Sequence, residues 1–239
     1  GKRGAIQNIS KKSVNLLILK LMAIIKSSLL KSIGGKIGEL VFCYIKGRQY
    51  LRRLPKKGKR EILPTQQLQI NRMRACVSFY HANRDTPIPD IWKLVAREVI
   101  SSGYNLFVKT NIKLFDMEHR IGDYSRLQLT CGVLEMPYEW SIRRVTPDCV
   151  QLKWSNCSVL TEERAGDGLQ AFWLRDNGSF EIEIFPLPEI RRDAEEAVIP
   201  LPADNETDWH LYLYFANSDR TAFSGNKYFF IENLSSRSK

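Results

Sequence analysis

No stretch of this 239-residue chain reaches the roughly 18–20 consecutive apolar residues that a membrane-spanning helix needs. Glycine and proline are few, 14 and 10, which excludes a collagen-like or low-complexity linker chain. Histidine is scarcer still: His81, His119 and His210 fall on separate elements. The spacings C-x-x-C, H-E-x-x-H and the EF-hand loop are missing, as are G-x-S-x-G and the Rossmann fingerprint. No metal, no cofactor and no catalytic residue is therefore expected, and the chain reads as a non-enzyme. Cysteine is present five times, an odd number without paired spacing, so a disulfide framework is not expected. Buried thiols in a reducing or neutral compartment fit better, with a Cys149–Cys157 bridge as the alternative, and an intracellular or virion-associated location is favoured over secretion.

Acidic residues are almost missing from one end. The first sixty residues hold sixteen Lys/Arg and a single acid, Glu39, a net of +15. Residues 61–115 carry +3, and residues 116–239 carry −8 within an overall charge of +10. Like charges packed this densely repel one another and persist most easily beside an anionic partner. A merely solvated basic arm is the plainer alternative.

What is present divides into three parts. Residues 1–21 read as an N-terminal extension that is not native, because Met22-Ala23-Ile24-Ile25-Lys26 resembles a translation start. The apolar stretch 14–25 also admits an export signal, although no small-x-small cleavage site follows it. Residues 22–115 form a basic hairpin plus a helical segment. Leu40 to Ile45 is β-branched and aromatic, Lys46-Gly47-Arg48 supplies a turn, residues 49–54 return, and Pro55 ends the second strand. A two-stranded hairpin is marginal alone and must dock on something. Ile33-Gly34-Gly35-Lys36-Ile37-Gly38 contains a G-x-x-G loop, but it runs into a strand pattern rather than joining helices, so it is read as backbone geometry.

Helical spacing takes over at Pro64-Thr65, with Ile70, Met73, Val77 and Tyr80 on one face. A second helix is expected with Asp90 as its cap, an apolar stripe of Ile91, Leu94, Val95 and Val99, and Gly103 as its stop. A third, shorter one is expected over residues 105–115. From Ser125 onward the pattern is all-β, with strands expected at 126–134, 138–144, 148–155, 168–175, 179–185, 195–201, 208–216 and 226–232. Val150, Leu152 and Trp154 share one face of their strand. In residues 209–215, Trp209, Leu211, Leu213 and Phe215 take one face and His210, Tyr212 and Tyr214 the other, so something should cover both sides. Glu181 and Glu183 also share a strand face, read as solvated rather than as a glycosidase-like carboxylate pair. The fold class is thus α+β: a basic β-hairpin and two or three helices, followed by an antiparallel β-sandwich over residues 125–239.

The motifs Gly35-Lys36-x-Gly38-x-x-Val41, Gly47-x-x-Tyr50-x-Arg52-x-x-Pro55, Trp92-x-x-x-Ala96, Ser102-Gly103-Tyr104-Asn105-x-Phe107-x-x-x-Asn111 and His210-x-Tyr212-x-x-Phe215, leading to Ser224-x-x-x-Tyr228, resemble an uncharacterised bacterial family widespread in gut anaerobes. Where such proteins often read Pro-Arg-Thr-Pro-x-Gln, this chain has Leu63-Pro64-Thr65-Gln66-Gln67. The C-terminal half is also similar to a fibronectin type III or Ig-like module, with Trp154 as its early-strand core Trp, and the whole plan is similar to phage and prophage structural proteins. The family implies no catalytic residues.

The function expected is therefore a structural or interaction protein. Its contact element is Lys36, Lys46, Arg48, Arg52, Arg53, Lys56, Lys57, Lys59 and Arg60, with Tyr44 and Tyr50, facing an acidic protein surface or other copies of the chain. Nucleic acid is the alternative partner for the same cations.

Overall fold

A computed structural model describes residues 22–24, 34–45, 48–55, 61–97, 101–156, 160–202 and 207–233. The chain divides into two units, Gly1–Glu61 and Ile62–Lys239. The extension 1–21 and residues Lys46, Gly47, Lys56, Lys57, Lys59, Arg60, Val99 and Cys157 lie outside the described residues.

In the first unit the expected hairpin is the middle of a wider sheet. β1 (Met22–Ile24), β2 (Gly35–Ile37), β3 (Leu40–Ile45) and β4 (Arg48–Arg53) run in the order β1-β4-β3-β2, each pair antiparallel. The G-x-x-G run is therefore strand β2 and its turn. Gly38 takes φ 58°, the left-handed value a tight hairpin turn asks of glycine, and Ile37 pairs directly with Leu40. A three-residue strand between glycines carries too little alternation to be visible beforehand.

In the second unit three helices precede the sandwich: α1 (Pro64–Ala82), α2 (Ile88–Ala96) and α3 (Gly103–Asn111). The stripe expected on α1 is displaced, since the fully buried residues are Ala75, Cys76 and Phe79, while Met73 stays exposed. Asp90 is not a cap. Pro87 precedes α2, Pro89 sits in its first turn, and Asp90 pairs with Lys93 at 2.8 Å. Nor does Gly103 stop α2; it opens α3, where Ser102 caps the helix by accepting from Asn105 N–H at 3.1 Å. Residues 112–114 continue as a 3₁₀ turn. Gly103 is required by close approach, because a Cβ there would lie 2.7 Å from the Trp92 and Lys93 backbone. Gly103→Ala is expected to cost about 1–3 kcal/mol as α2 and α3 are pushed apart, measurable by urea titration of the intact chain.

The sandwich follows. β5 (Glu139–Thr146), β6 (Cys149–Ser155) and β9 (Glu196–Pro200) form a three-stranded sheet in the order β5-β6-β9. β7 (Gly168–Arg175), β8 (Ile182–Glu183), β10 (Trp209–Ala216) and β11 (Lys227–Ile231) form the other, in the order β11-β10-β7-β8. A short helix, α4 (Glu162–Ala165), bridges β6 and β7. Val150, Leu152, Trp154, Ala171, Trp173, Leu211, Leu213 and Phe215 meet between the two sheets. On the outer side of the four-stranded sheet, Phe172, Leu174, Tyr212 and Tyr214 pack against Phe79, Trp92 and Phe107 of the helices. The helices thus share a core with the sandwich, because β10 is apolar on both faces and all eight of its residues are buried.

Residues 126–134 were expected as a strand and are not one. Asn111 and Asn226 take their backbone groups instead. Gln128 N–H donates to Asn111 Oδ1 at 2.9 Å, and Leu129 and Thr130 N–H donate to Asn226 Oδ1 at 2.8 and 3.1 Å. Leu127 and Leu129 carbonyls accept from Asn226 Nδ2 and Trp92 Nε1. With those bonds made by side chains, the segment has no need of a strand partner.

Candidate contact surface on the N-terminal sheet

Side chains alternate across a strand, so the register decides which cations act together. Lys36, Val41 and Arg52 stand in one row across β2, β3 and β4. Arg48 and Arg52 are four residues apart on β4 and therefore share that face, as does Tyr50. The row spans two strand spacings, about 10 Å, and Arg48 lies about 13 Å along β4 from Arg52. Lys36 and Arg48 are exposed, Arg52 and Tyr50 half-buried.

Arg53 belongs to the opposite face. Its guanidinium donates through Nε at 2.9 Å and through Nη2 to Oε2 of Glu39, the one acid of the first sixty residues. That pair is solvent-exposed and contributes little stability, but it neutralises Arg53. Tyr44 is on the Arg53 face, 69% exposed, across from Gln49, so Tyr44 and Tyr50 are not neighbours. The sheet therefore has two chemically distinct sides. One carries Lys36, Arg48 and Arg52 with no acid among the described residues; the other carries the Arg53–Glu39 pair and the exposed Ile37, Leu40 and Tyr44. Of the remaining expected cations, Lys46, Lys56, Lys57, Lys59 and Arg60 lie outside the described residues.

Groups in the second unit that suggest chemistry have structural partners. Glu183 is bound by Arg175, and Glu181 is exposed outside the two-residue β8. His210 is 3% exposed, stacks on Tyr124 with ring centroids 3.7 Å apart, and its Nδ1 lies 2.9 Å from the Tyr228 hydroxyl. Burial holds its imidazole below the ordinary histidine value, with Asp176 opposing. Cys43, Cys76, Cys131 and Cys149 are free thiols, and burial pushes Cys76 up to about 12 and Cys131 to about 11, far from a nucleophilic thiolate. Among the described residues no group of three or more His, Cys, Asp or Glu is placed to hold a metal ion, and no helix is long and apolar enough to cross a membrane.

A buried ion pair was missed in the sequence. Arg192 and Asp167 are each 1% exposed, with Arg192 Nη1 3.5 Å from Asp167 Oδ2. Arg192 Nε also donates to Asn156 Oδ1 at 3.0 Å, and the guanidinium lies over Phe215. Nothing in the local sequence marks this arginine out from its neighbour Arg191, which is exposed.

No family model and no curated protein matches the chain. Among solved structures, the chicken CNTN1 FN1–FN3 domains match 43% of this chain at 12% identity and a TM-score of 0.31, and the match takes in 32% of that chain. The fn3 domain of human contactin 1 matches 45% of this chain and 86% of its own at 15% identity and a TM-score of 0.29. A protein described as a myokine matches 41% and 94% at 10% identity and a TM-score of 0.29.

Proposed function

We propose that this is a non-catalytic interaction protein that holds an acidic protein surface, of a partner or of another copy, against the cationic side of its N-terminal sheet. The sandwich with its helices serves as the scaffold. The observation that supports this reading is the segregation of charge on the sheet: Lys36, Arg48 and Arg52 share a side, while Glu39 pairs with Arg53 on the other. The C-terminal half supplies a matching sign, with −8 over residues 116–239. Three cations about 10–16 Å apart stand farther from one another than the Debye length of about 8 Å at physiological salt but well within the about 30 Å of low salt, so they act together on a facing acidic patch most strongly at low salt.

Light scattering across a salt series tests the reading. Association of the intact chain at low salt is expected to weaken at least about tenfold in Lys36→Glu/Arg52→Glu, and to weaken as salt is raised. A chain that stays monomeric at low salt and high concentration, and that captures no acidic protein surface, counts against it. A gel-shift with mixed-sequence DNA and RNA at about 50 mM salt separates the nucleic-acid alternative, for which a shift that falls steeply with salt is the signature.

A further inference from the structure

Among the described residues β5 is the marginal strand of its sheet, in the order β5-β6-β9. The hydrogen bonds of β6 fix which residues of β5 face that margin. Trp154 N–H donates to the Glu195 carbonyl at 3.0 Å, and the Asp148 carbonyl accepts from Leu201 N–H at 2.7 Å, so the even-numbered residues of β6 bond toward β9. In an antiparallel ladder the odd-numbered ones then bond toward β5, where Ser155, Lys153 and Gln151 stand opposite Glu139, Ser141 and Arg143. Trp140 and Ile142, which alternate with these, turn their N–H and C=O outward along the margin.

A sheet margin is a template for another strand, and charged side chains commonly block it. On β5 the charges are ordered so that they attract a copy of the same strand. Glu139 and Arg143 are both exposed on the outer face, at equal distances on either side of Ser141. A two-fold axis through Ser141 sets β5 antiparallel to its own copy. Trp140 then meets Ile142 as a hydrogen-bonded pair, and Glu139 meets Arg143 as a non-hydrogen-bonded pair, where side chains come closest. Neighbouring registers lose this match. An axis through Glu139 or Arg143 sets like charges face to face, and one through Trp140 or Ile142 leaves Glu139 and Arg143 without an opposite charge across the seam. The register shift between Arg144 and Thr146 ends the run available for pairing.

We propose that β5 is a dimerisation edge whose partner is a second copy of this chain, joining two three-stranded sheets into one across Ser141. Charge complementarity of the strand with itself selects the occupant and the register together. The surface is distinct from the cationic side of the N-terminal sheet and does not rest on the reading given to it above. Trp140 and Ile142 already pack into the core between the sheets, so the seam gains backbone hydrogen bonds and the paired charges rather than a large apolar area. The dimer is accordingly a weak one that forms at high concentration.

The test is sedimentation equilibrium of the intact chain at low salt, in the Lys36→Glu/Arg52→Glu background so that association through the N-terminal sheet is not read. Glu139→Arg and Arg143→Glu should each weaken dimerisation at least about tenfold, because symmetry makes each exchange replace two attractions by two repulsions. The double exchange Glu139→Arg/Arg143→Glu should return it to within about twofold of the background chain. Amide exchange of the ¹⁵N-labelled chain with β5 unaltered gives a second measurement. In dilute solution the Trp140 and Ile142 amides should exchange faster than those of Ser141 and Arg143, and they should slow as concentration rises. Single exchanges that leave association unchanged overturn the proposal, as does a double exchange that fails to restore it or protection of Trp140 and Ile142 that is independent of concentration. A background chain that stays monomeric at every concentration also overturns it, and leaves the reading of the N-terminal sheet standing.

Discussion

Arg192→Met is expected to destabilise the C-terminal unit by about 3–5 kcal/mol, the loss that follows when one partner of a buried ion pair is removed. Asp167 would keep its carboxylate in a site where it is 1% exposed, with Arg164 acting on it through space but, among the described residues, forming no ion pair with it to replace Arg192. Burial already raises the Asp167 pKa above its ordinary value even with Arg192 opposing that shift, so the pair does not recover the full cost of its own burial. The double variant Arg192→Met/Asp167→Leu should therefore regain most of the loss, since well-packed apolar replacements of such pairs are often neutral.

The pH dependence has a defined sign. In Arg192→Met the folded pKa of Asp167 rises further, so over the interval between its unfolded and folded values the folded state binds more protons than the unfolded state. Stability then falls as pH rises through that interval. The deficit should be smallest near pH 4 and largest at pH 7, the reverse of the usual behaviour of a paired carboxylate. Urea titrations of both variants at the two pH values decide this. A single variant whose deficit is independent of pH, or a double variant as unstable as the single, would show that packing around Phe215 rather than charge sets the cost.

This pair also shows where the sequence stops informing. Alternation in the strands was visible because β-strand periodicity is a local property: Val150, Leu152 and Trp154 face inward as expected, and the two faces of β10 divide between the inter-sheet core and the helices. Helix termini were less visible. Gly103 has the chemistry of a helix stop, and only the 2.7 Å approach to α2, set by tertiary packing, makes it a start. The 126–134 run has strand-like composition, yet two asparagines, one nearby in sequence and one almost a hundred residues away, decide its conformation. At the candidate contact surface the cations themselves were plain, but their division between two faces depends on strand register. That Arg53 pairs with Glu39 and so leaves the cationic side was not readable from composition.

Gly132→Ala is expected to cost about 3 kcal/mol, lowering the melting temperature of the C-terminal unit by about 6–12 °C. The segment around Gly132 passes directly over Phe223, whose carbonyl accepts Leu134 N–H at 3.0 Å, and Leu134 and Ser224 form a parallel bridge. A Cβ on residue 132 would stand 2.1 Å from the Phe223 oxygen and 2.9 Å from its carbonyl carbon, and because these are backbone atoms no rotamer change relieves the overlap. The strand-to-segment contact must open, and it lies beside the Asn226 bonds that hold Leu129 and Thr130. Gly166→Ala is the matched control: the nearest atom to a Cβ there is the Glu163 oxygen at 3.6 Å and its φ is −81°, so the substitution should be neutral or stabilise by a few tenths of a kcal/mol through the unfolded chain. Thermal melts of the two variants separate close approach from glycine entropy. A Gly132→Ala variant as stable as the Gly166→Ala control would mean that the 127–134 segment can move away from Phe223 without penalty, and that its asparagine-held conformation does not support the helical layer.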